Sequence, residues 1–234
     1  MSTIFIISAP SGSGKSTLVA ELRVSVPRLD FSISYTTRRP RGSEKDGREY
    51  HFVSRETFEA MIVRGEFLEY AEVFGNYYGT ARRFVVEAQA AGHDLLLDID
   101  VQGAAQIKGK LPQAVSIFVL PPSAGELERR LRRRSEAEGA LNPEVIEKRL
   151  KTARREIEKY REYDYILVND RLEESIDALK AIVLSERWLR AGATLSAEQQ
   201  SMREMAERNL LGNAQDRIQQ ILASFRGDDP SSVV

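Results

Sequence analysis

An α/β fold of parallel strands with helices on both faces is predicted for this chain, and three observations carry the prediction. The apolar run Ile4-Phe5-Ile6-Ile7 leads into the glycine-rich stretch Ser11-Gly12-Ser13-Gly14, which passes directly into a segment of helical spacing. Further along, short apolar runs alternate with segments of helical period, the pattern of strands joined by crossover helices. At 234 residues the chain is long enough for one sizeable core and a small inserted lobe, or two modest domains at most.

Each element follows from local chemistry. Leu18, Val19 and Leu22 give the first helix its apolar face, and Pro27 marks its end. Phe31-Ser32-Ile33-Ser34 alternates as a strand and runs into a basic loop over Thr36–Gly42. Helical spacing returns over Arg55–Val63 and stops at Gly65. Glu66–Phe74 is strand-like, Gly75–Gly79 reads as a turn, and Ala81–Ala91 is a helix closed by Gly92. A buried strand over Leu95–Asp100 precedes a short helix near Gln102–Lys108. Then come a strand at Val115–Leu120 stopped by Pro121-Pro122 and a helix opened by the capping pair Ser123 and Glu126. Asn142-Pro143 opens a helix running to about Tyr160, Tyr163–Asn169 is a strand, and Leu172–Leu189 is a helix.

Residues of about 33–90 break the alternation and read as an inserted lobe, leaving a core of 1–32 and 93–190. A helical extension is expected over 191–226. Ser196 and Gln199 open it, and Met202, Met205, Leu210, Ile218, Ile221, Leu222 and Phe225 recur at helical spacing, as one amphipathic helix or two broken at Gly212. Its apolar face packs on the chain's own core, joins a second copy in a homo-oligomer, or serves recognition. Residues 227–234 read as a flexible tail. Truncation after about residue 192 is expected to spare the fold and the site, because every chemical motif lies before it.

Composition sets limits. The net charge of −1 argues against a dedicated nucleic-acid or membrane-surface protein, and no apolar run approaches a membrane span. Cysteine is absent, which rules out disulfides and thiolate metal sites and suits a reducing cytoplasm. His51 and His93 are isolated, with no acidic cluster at metal-ligand spacing, so neither a protein-bound zinc nor a serine triad is expected.

The first chemical motif is Ala9-Pro10-Ser11-Gly12-Ser13-Gly14-Lys15-Ser16-Thr17. Small residues let consecutive backbone N–H groups converge on a polyphosphate, and the helix opening near Lys15 adds unpaired donors and its positive dipole end. Lys15 reaches the β- and γ-phosphates and Ser16 supplies the hydroxyl that such loops place on Mg²⁺. Ala9 stands where the usual pattern has its first glycine. Within the lobe, Arg38 and Arg41 lie beside Ser34, with Tyr50, Glu69, Tyr78 and Thr80 following. Singly, the arginines read equally well as solvated loop charges and the tyrosines as half-buried aromatics. Together they offer the donors that hold a phosphate dianion.

These stretches resemble the guanylate kinase family. The resemblance is carried by Ser8–Thr17, Phe31–Arg41, Phe67-Leu68-Glu69, Gly75–Thr80, Leu97-Asp98-Ile99-Asp100-Val101-Gln102-Gly103 and Val168-Asn169-Asp170, over about residues 3–190. It implies a P-loop NTPase-type parallel sheet with helices on both faces, an inserted nucleoside-monophosphate-binding lobe and a helical lid over about 126–150. It implies transfer of the γ-phosphoryl of MgATP to GMP. By the same resemblance Ala9 to Thr17 with Asn169 and Asp170 bind ATP, Arg38, Arg41, Tyr50 and Tyr78 hold the GMP phosphate, and Ser34, Glu69, Thr80 and Asp100 read the base. An ionised Glu69 suits guanine, whose N1–H and 2-amino group are adjacent donors, and repels the N1 lone pair of adenine.

Asp98 closes an apolar strand and is the candidate for the water shell of the metal; a helix cap is the alternative for Asp98 or Asp100. The run Arg129-Arg130-Leu131-Arg132-Arg133-Arg134 reads generically as a solvated helix face or a nucleic-acid patch. Arg130 and Arg134 are one helical turn apart, and the resemblance makes them, with Arg149, lid arginines acting in catalysis beside Lys15 and Arg38. Ser135 replaces a family glycine and the stretch to Asn142 is a few residues longer than usual, so Arg133 is the alternative to Arg134. Two rival readings have other classes of function: a catalytically silent interaction module of the same fold, and a kinase of a sugar phosphate. The complete Lys15-Ser16-Thr17 and arginine set speak against the first, and Glu69 with Tyr78 against the second.

Overall fold

A computed structural model of the chain describes residues 2–137 and 143–226. In chain order the elements are β1 (Ile4–Ser8), α1 (Lys15–Ser25), β2 (Leu29–Ser32), β3 (Tyr35–Thr36), β4 (His51–Phe52), α2 (Arg55–Val63), β5 (Phe67–Val73), β6 (Asn76–Ala81) and α3 (Arg82–Ala91). They continue as β7 (Asp94–Asp98), α4 (Val101–Lys110), β8 (Val115–Leu120), α5 (Ala124–Ala137), α6 (Pro143–Ile157), a 3₁₀ turn (Glu158–Glu162), β9 (Tyr165–Val168), α7 (Leu172–Arg190), α8 (Ala197–Glu207) and α9 (Gln215–Arg226). The expected parallel strands with flanking helices are present. The tail expected over 227–234, and the part of the lid at 138–142 with Asn142 of the helix opening, lie outside the described residues.

The elements form two compact units, one of the residues up to Ile7 with Val26–Val115, the other of Ser8–Ser25 with the residues from Ser116 onward. In the first unit β7 pairs in parallel with β1 and with β2, so Leu96 sits beside Phe5 on one side and Phe31 on the other. Strands covered on both faces need apolar residues at successive positions, which is why Phe5-Ile6-Ile7 and Leu95-Leu96-Leu97 are unbroken runs and almost wholly buried.

The same unit carries a second sheet in the order β4-β3-β6-β5. Helix α2 packs on it through Phe58, stacked 4.3 Å from Phe67, with Met61 alongside. Its start is fixed by Ser54, whose hydroxyl accepts from the Thr57 N–H at 3.1 Å. Gly75–Gly79 is not a turn. Val73 pairs with Asn76, leaving a two-residue loop of Phe74 and Gly75 with φ of 51° and 79°, the left-handed geometry that joins twisted antiparallel strands. Gly79 lies in β6 because a Cβ there would approach Phe58 and Phe67 to 2.9 Å, so this glycine marks close packing and not a bend. The strand expected to reach Asp100 ends at Asp98, and Asp100 caps α4 by accepting from the Gly103 N–H at 2.9 Å.

In the second unit β8 and β9 pair in parallel, α1 packs on α7 and α5 on α6. The helix expected to continue to Tyr160 ends at Ile157 and tightens into the 3₁₀ turn. The extension is two helices, α8 opened by the full capping box of Ser196 and Gln199, and α9. Both pack on their own chain. Ile218, Ile221 and Phe225 are buried, and the Ser224 hydroxyl accepts from the Ala124 N–H at 3.0 Å. The link between the helices runs along β9: Ile166 N–H donates to the Asn209 carbonyl at 2.7 Å and Leu211 N–H to the Asp164 carbonyl at 2.9 Å. An exposed strand edge invites association, and this segment occupies it. The truncation expected to be harmless therefore removes part of a packed unit. No helix among the described residues is long and apolar enough to cross a membrane.

Candidate active site

The glycine-rich loop belongs to the second unit. Gly12 and Gly14 take φ of 93° and 85°, conformations that L side chains resist. A Cβ on Gly12 would lie 3.0 Å from Leu127 and Leu131 of α5, and one on Gly14 would run into the Asn169 amide. Ala9 has no such φ, so the position that usually carries glycine needs none here. Ser13 N–H donates to the Pro10 carbonyl at 3.1 Å, closing the turn. Lys15 is the first residue of α1, half-buried, with Ser16 and Thr17 exposed behind it.

Two side chains hold this loop by the Ser13 carbonyl, the Asn169 amide at 2.7 Å and the Arg130 guanidinium at 3.3 Å. Arg130 also donates to the Asn169 carbonyl at 3.2 Å and to Glu126 at 2.8 Å. Both residues thus brace the loop, and Asn169 is buried while Asp170 is exposed. Along α5, Arg129 pairs with Glu126 and Arg132 with Glu128. Arg133 and Arg134 are exposed, and Arg149 on α6 is half-buried.

In the first unit, Arg38 is 9% exposed and donates both guanidinium arms to Glu44, at 2.9 and 3.0 Å. Its charge lies 5.4 Å from the centre of the Tyr50 ring, which stands 5.8 Å from that of Tyr78. Burial opposes the Arg38 charge, but hydrogen bonds to Glu44 and Tyr78 outweigh it and raise its pKa. Burial likewise opposes the Glu44 charge, and Arg38 with the Arg41 N–H, 2.8 Å from Oε2, holds it below the usual carboxylate range. Arg38, Tyr50 and Tyr78 are gathered as the motifs implied, whereas the Arg41 side chain is exposed. Glu44 was not singled out in the sequence; its position three residues after Arg41 is the signal that could have found it.

The remaining group lies on β5, β6 and α4. Glu69 is 4% exposed, and its Oε1 accepts from the Thr80 hydroxyl at 2.6 Å. Its Oε2 lies 2.6 Å from where a Cβ of Gly103 would stand, and the Asp100 carboxylate 3.3 Å from the same point. The Glu69 carboxyl is pushed up from the usual 4.5 to about 7, first by burial and then by the charge of Asp100, against the Thr80 hydrogen bond and Lys110. Ser34 is buried two residues beyond β2 and its carbonyl accepts from His51 N–H at 2.9 Å. Asp98 is half-buried and pairs with Ile7 of β1. Among the described residues no three histidines or carboxylates cluster as metal ligands.

With these groups on an α/β frame the molecule has the make-up of a nucleotide kinase. The family model described as guanylate kinase matches residues 1–186. A guanylate kinase of Koribacter versatilis (strain Ellin345) is 62% identical over 224 residues, 96% of each chain. One of Vibrio parahaemolyticus is 51% identical over 187 residues, 79% of this chain and 88% of the relative. The crystal structure of guanylate kinase from Anaplasma phagocytophilum superposes with a TM-score of 0.64 at 36% identity, covering 79% of this chain and 86% of that one. The chain belongs to the guanylate kinase family, as its motifs implied. The Koribacter relative extends over the C-terminal helices, which the family model does not reach.

Proposed function

We infer that this chain is an enzyme that transfers the γ-phosphoryl of MgATP to GMP, giving ADP and GDP. A phosphate oxygen of GMP forms the new bond to Pγ as the bond from Pγ to the β–γ bridging oxygen breaks, so no covalent enzyme intermediate is required. The observation that carries the GMP assignment is Glu69, a buried carboxylate oriented by Thr80 and free of any cation's hydrogen bond among the described residues. Ionised, it accepts from N1–H and the 2-amino group of guanine, with Thr80, Ser34 and Asp100 completing the base contacts. Arg38, steadied by Glu44, and Arg41, Tyr50 and Tyr78 take the GMP phosphate.

The backbone of Ala9 to Thr17 cradles the triphosphate, Lys15 neutralises the transferring group, and Asp170 lies at the adenine side with Asn169. Arg130, Arg134 and Arg149 belong to the lid, with Arg130 anchoring its base at the loop. The Ser16 hydroxyl and Asp98 carboxylate are hard oxygen donors of the kind that would hold Mg²⁺ carried in with ATP or its water shell. The ion supplies charge neutralisation across the phosphates. ATP and GMP are its small-molecule partners, and the cysteine-free chain is placed in the cytoplasm. A coupled assay of ADP release with ATP and GMP, AMP, CMP, UMP or ribose phosphates tests the reading. Turnover confined to GMP and its close analogues is expected; an equal rate with AMP, or none with any acceptor, overturns it.

A further inference from the structure

The base-reading carboxylate stands where it does because of an irregularity in its strand. Phe67 pairs with Ala81 and Glu69 with Thr80, so Leu68 is one residue more than β6 supplies opposite it. In a regular strand residues 67 and 69 share a face. Here Phe67 stacks on Phe58 of α2, whereas Glu69 faces Thr80 and Gly103 of α4. The extra residue therefore turns Glu69 to the side opposite the lobe core.

β5 is the edge of its sheet, so its outer carbonyls need partners beyond the ladder, and α4 supplies two. Lys110 Nζ donates to the Leu68 carbonyl at 2.5 Å, and Gln106 Nε2 donates to the Tyr70 carbonyl at 2.8 Å. These carbonyls bracket Glu69. Gly103, Gln106 and Lys110 recur on one face of α4 at intervals of three and four, so a single helix face clamps the backbone on either side of Glu69 and leaves a Cβ-free space for its carboxylate.

We propose that Lys110 and Gln106, acting with Gly103, are positioning residues that set the preference for guanine by holding the Leu68 bulge. The proposal rests on Glu69 being the base reader. The groups facing Glu69 are Thr80 from β6 and Asp100, Gly103 and Lys110 from the α4 side. Lys110 is solvent-exposed, so its replacement is compatible with folding.

The test measures kcat/KM for GMP and AMP in the wild type, Lys110→Met, Gly103→Ala, Glu69→Gln and the Lys110→Met/Glu69→Gln double variant, with melting temperature as the fold check. Lys110→Met is expected to lower the GMP-to-AMP ratio about tenfold through KM for GMP, with kcat and KM for ATP held. Gly103→Ala should lower it at least as far. In the Glu69→Gln background Lys110→Met should change the ratio by less than about twofold, since both act through one carboxylate. Loss of the nearby ammonium should also move the pH midpoint of KM for GMP to higher pH, which a merely structural contact would not do. Single variants that keep the wild-type ratio and midpoint, while Glu69→Gln loses discrimination, overturn the positioning role and leave the base reading standing. An unchanged ratio in Glu69→Gln overturns both.

Discussion

Acidification is expected to weaken GMP recognition through one group. The Glu69 carboxyl titrates at about 7 because it is buried and faces Asp100. On the proposed base reading guanine offers two donors to it, so the ionised form should bind and the protonated form, which brings a donor of its own, should not. One pH unit above the pKa about 90% of the sites are ionised, and one unit below it about 10% are. KM for GMP at saturating MgATP should therefore be flat above pH 8 and rise about tenfold by pH 6. The GMP phosphate also gains a proton at about pH 6, so the control is Glu69→Gln, which keeps that effect and lacks the carboxyl. The same linkage has a stability readout. A carboxyl raised from 4.5 to about 7 favours the folded state when protonated, an advantage present below 4.5 and lost as pH rises through 7. Glu69→Gln should accordingly gain up to about 3 kcal/mol over the wild type at pH 8 and nothing at pH 4. Parallel pH profiles of KM in wild type and variant would refute the reasoning, whatever the stability data show.

Lys15→Met keeps the length of the side chain and removes its charge, and turnover with MgATP should fall roughly 10²–10³-fold while the melting temperature holds; near-normal turnover would sink the phosphate-loop assignment. Arg134→Ala and Arg149→Ala should lower kcat much more than they raise KM for GMP, whereas Arg41→Ala should act chiefly on that KM, as steady-state kinetics of the three variants will show. If the two lid substitutions change KM alone, the lid assignment passes to Arg133. Truncation after Gly192 uncovers the edge of β9 and withdraws Ile218, Ile221 and Phe225, each worth about 1.5–3 kcal/mol when fully buried. The shortened chain should melt earlier and self-associate in light scattering; an unchanged melting temperature in a monomer would contradict the role given to the extension.

What the sequence determined by itself is what depends on neighbours along the chain. The apolar runs at Ile4–Ile7 and Val115–Leu120, the Ser196 cap and the Gly92 helix end all became the elements expected of them, because strand burial and helix capping act over a few residues. The glycine-rich loop and the helix opening at Lys15 were equally legible, since the two positive-φ glycines and the first helical residue are near neighbours in sequence. Tertiary structure alone decided the rest. Asn169 and Arg130 meet the Ser13 carbonyl from positions 156 and 117 residues away, and no local pattern records such a meeting. Gly79 read as a turn residue and proved to be a strand residue made small by Phe58 and Phe67. Glu69 was identifiable by its motif. The direction of its side chain was not, because one residue of strand register, held by a helix face more than 30 residues downstream, sets which face a carboxylate points to.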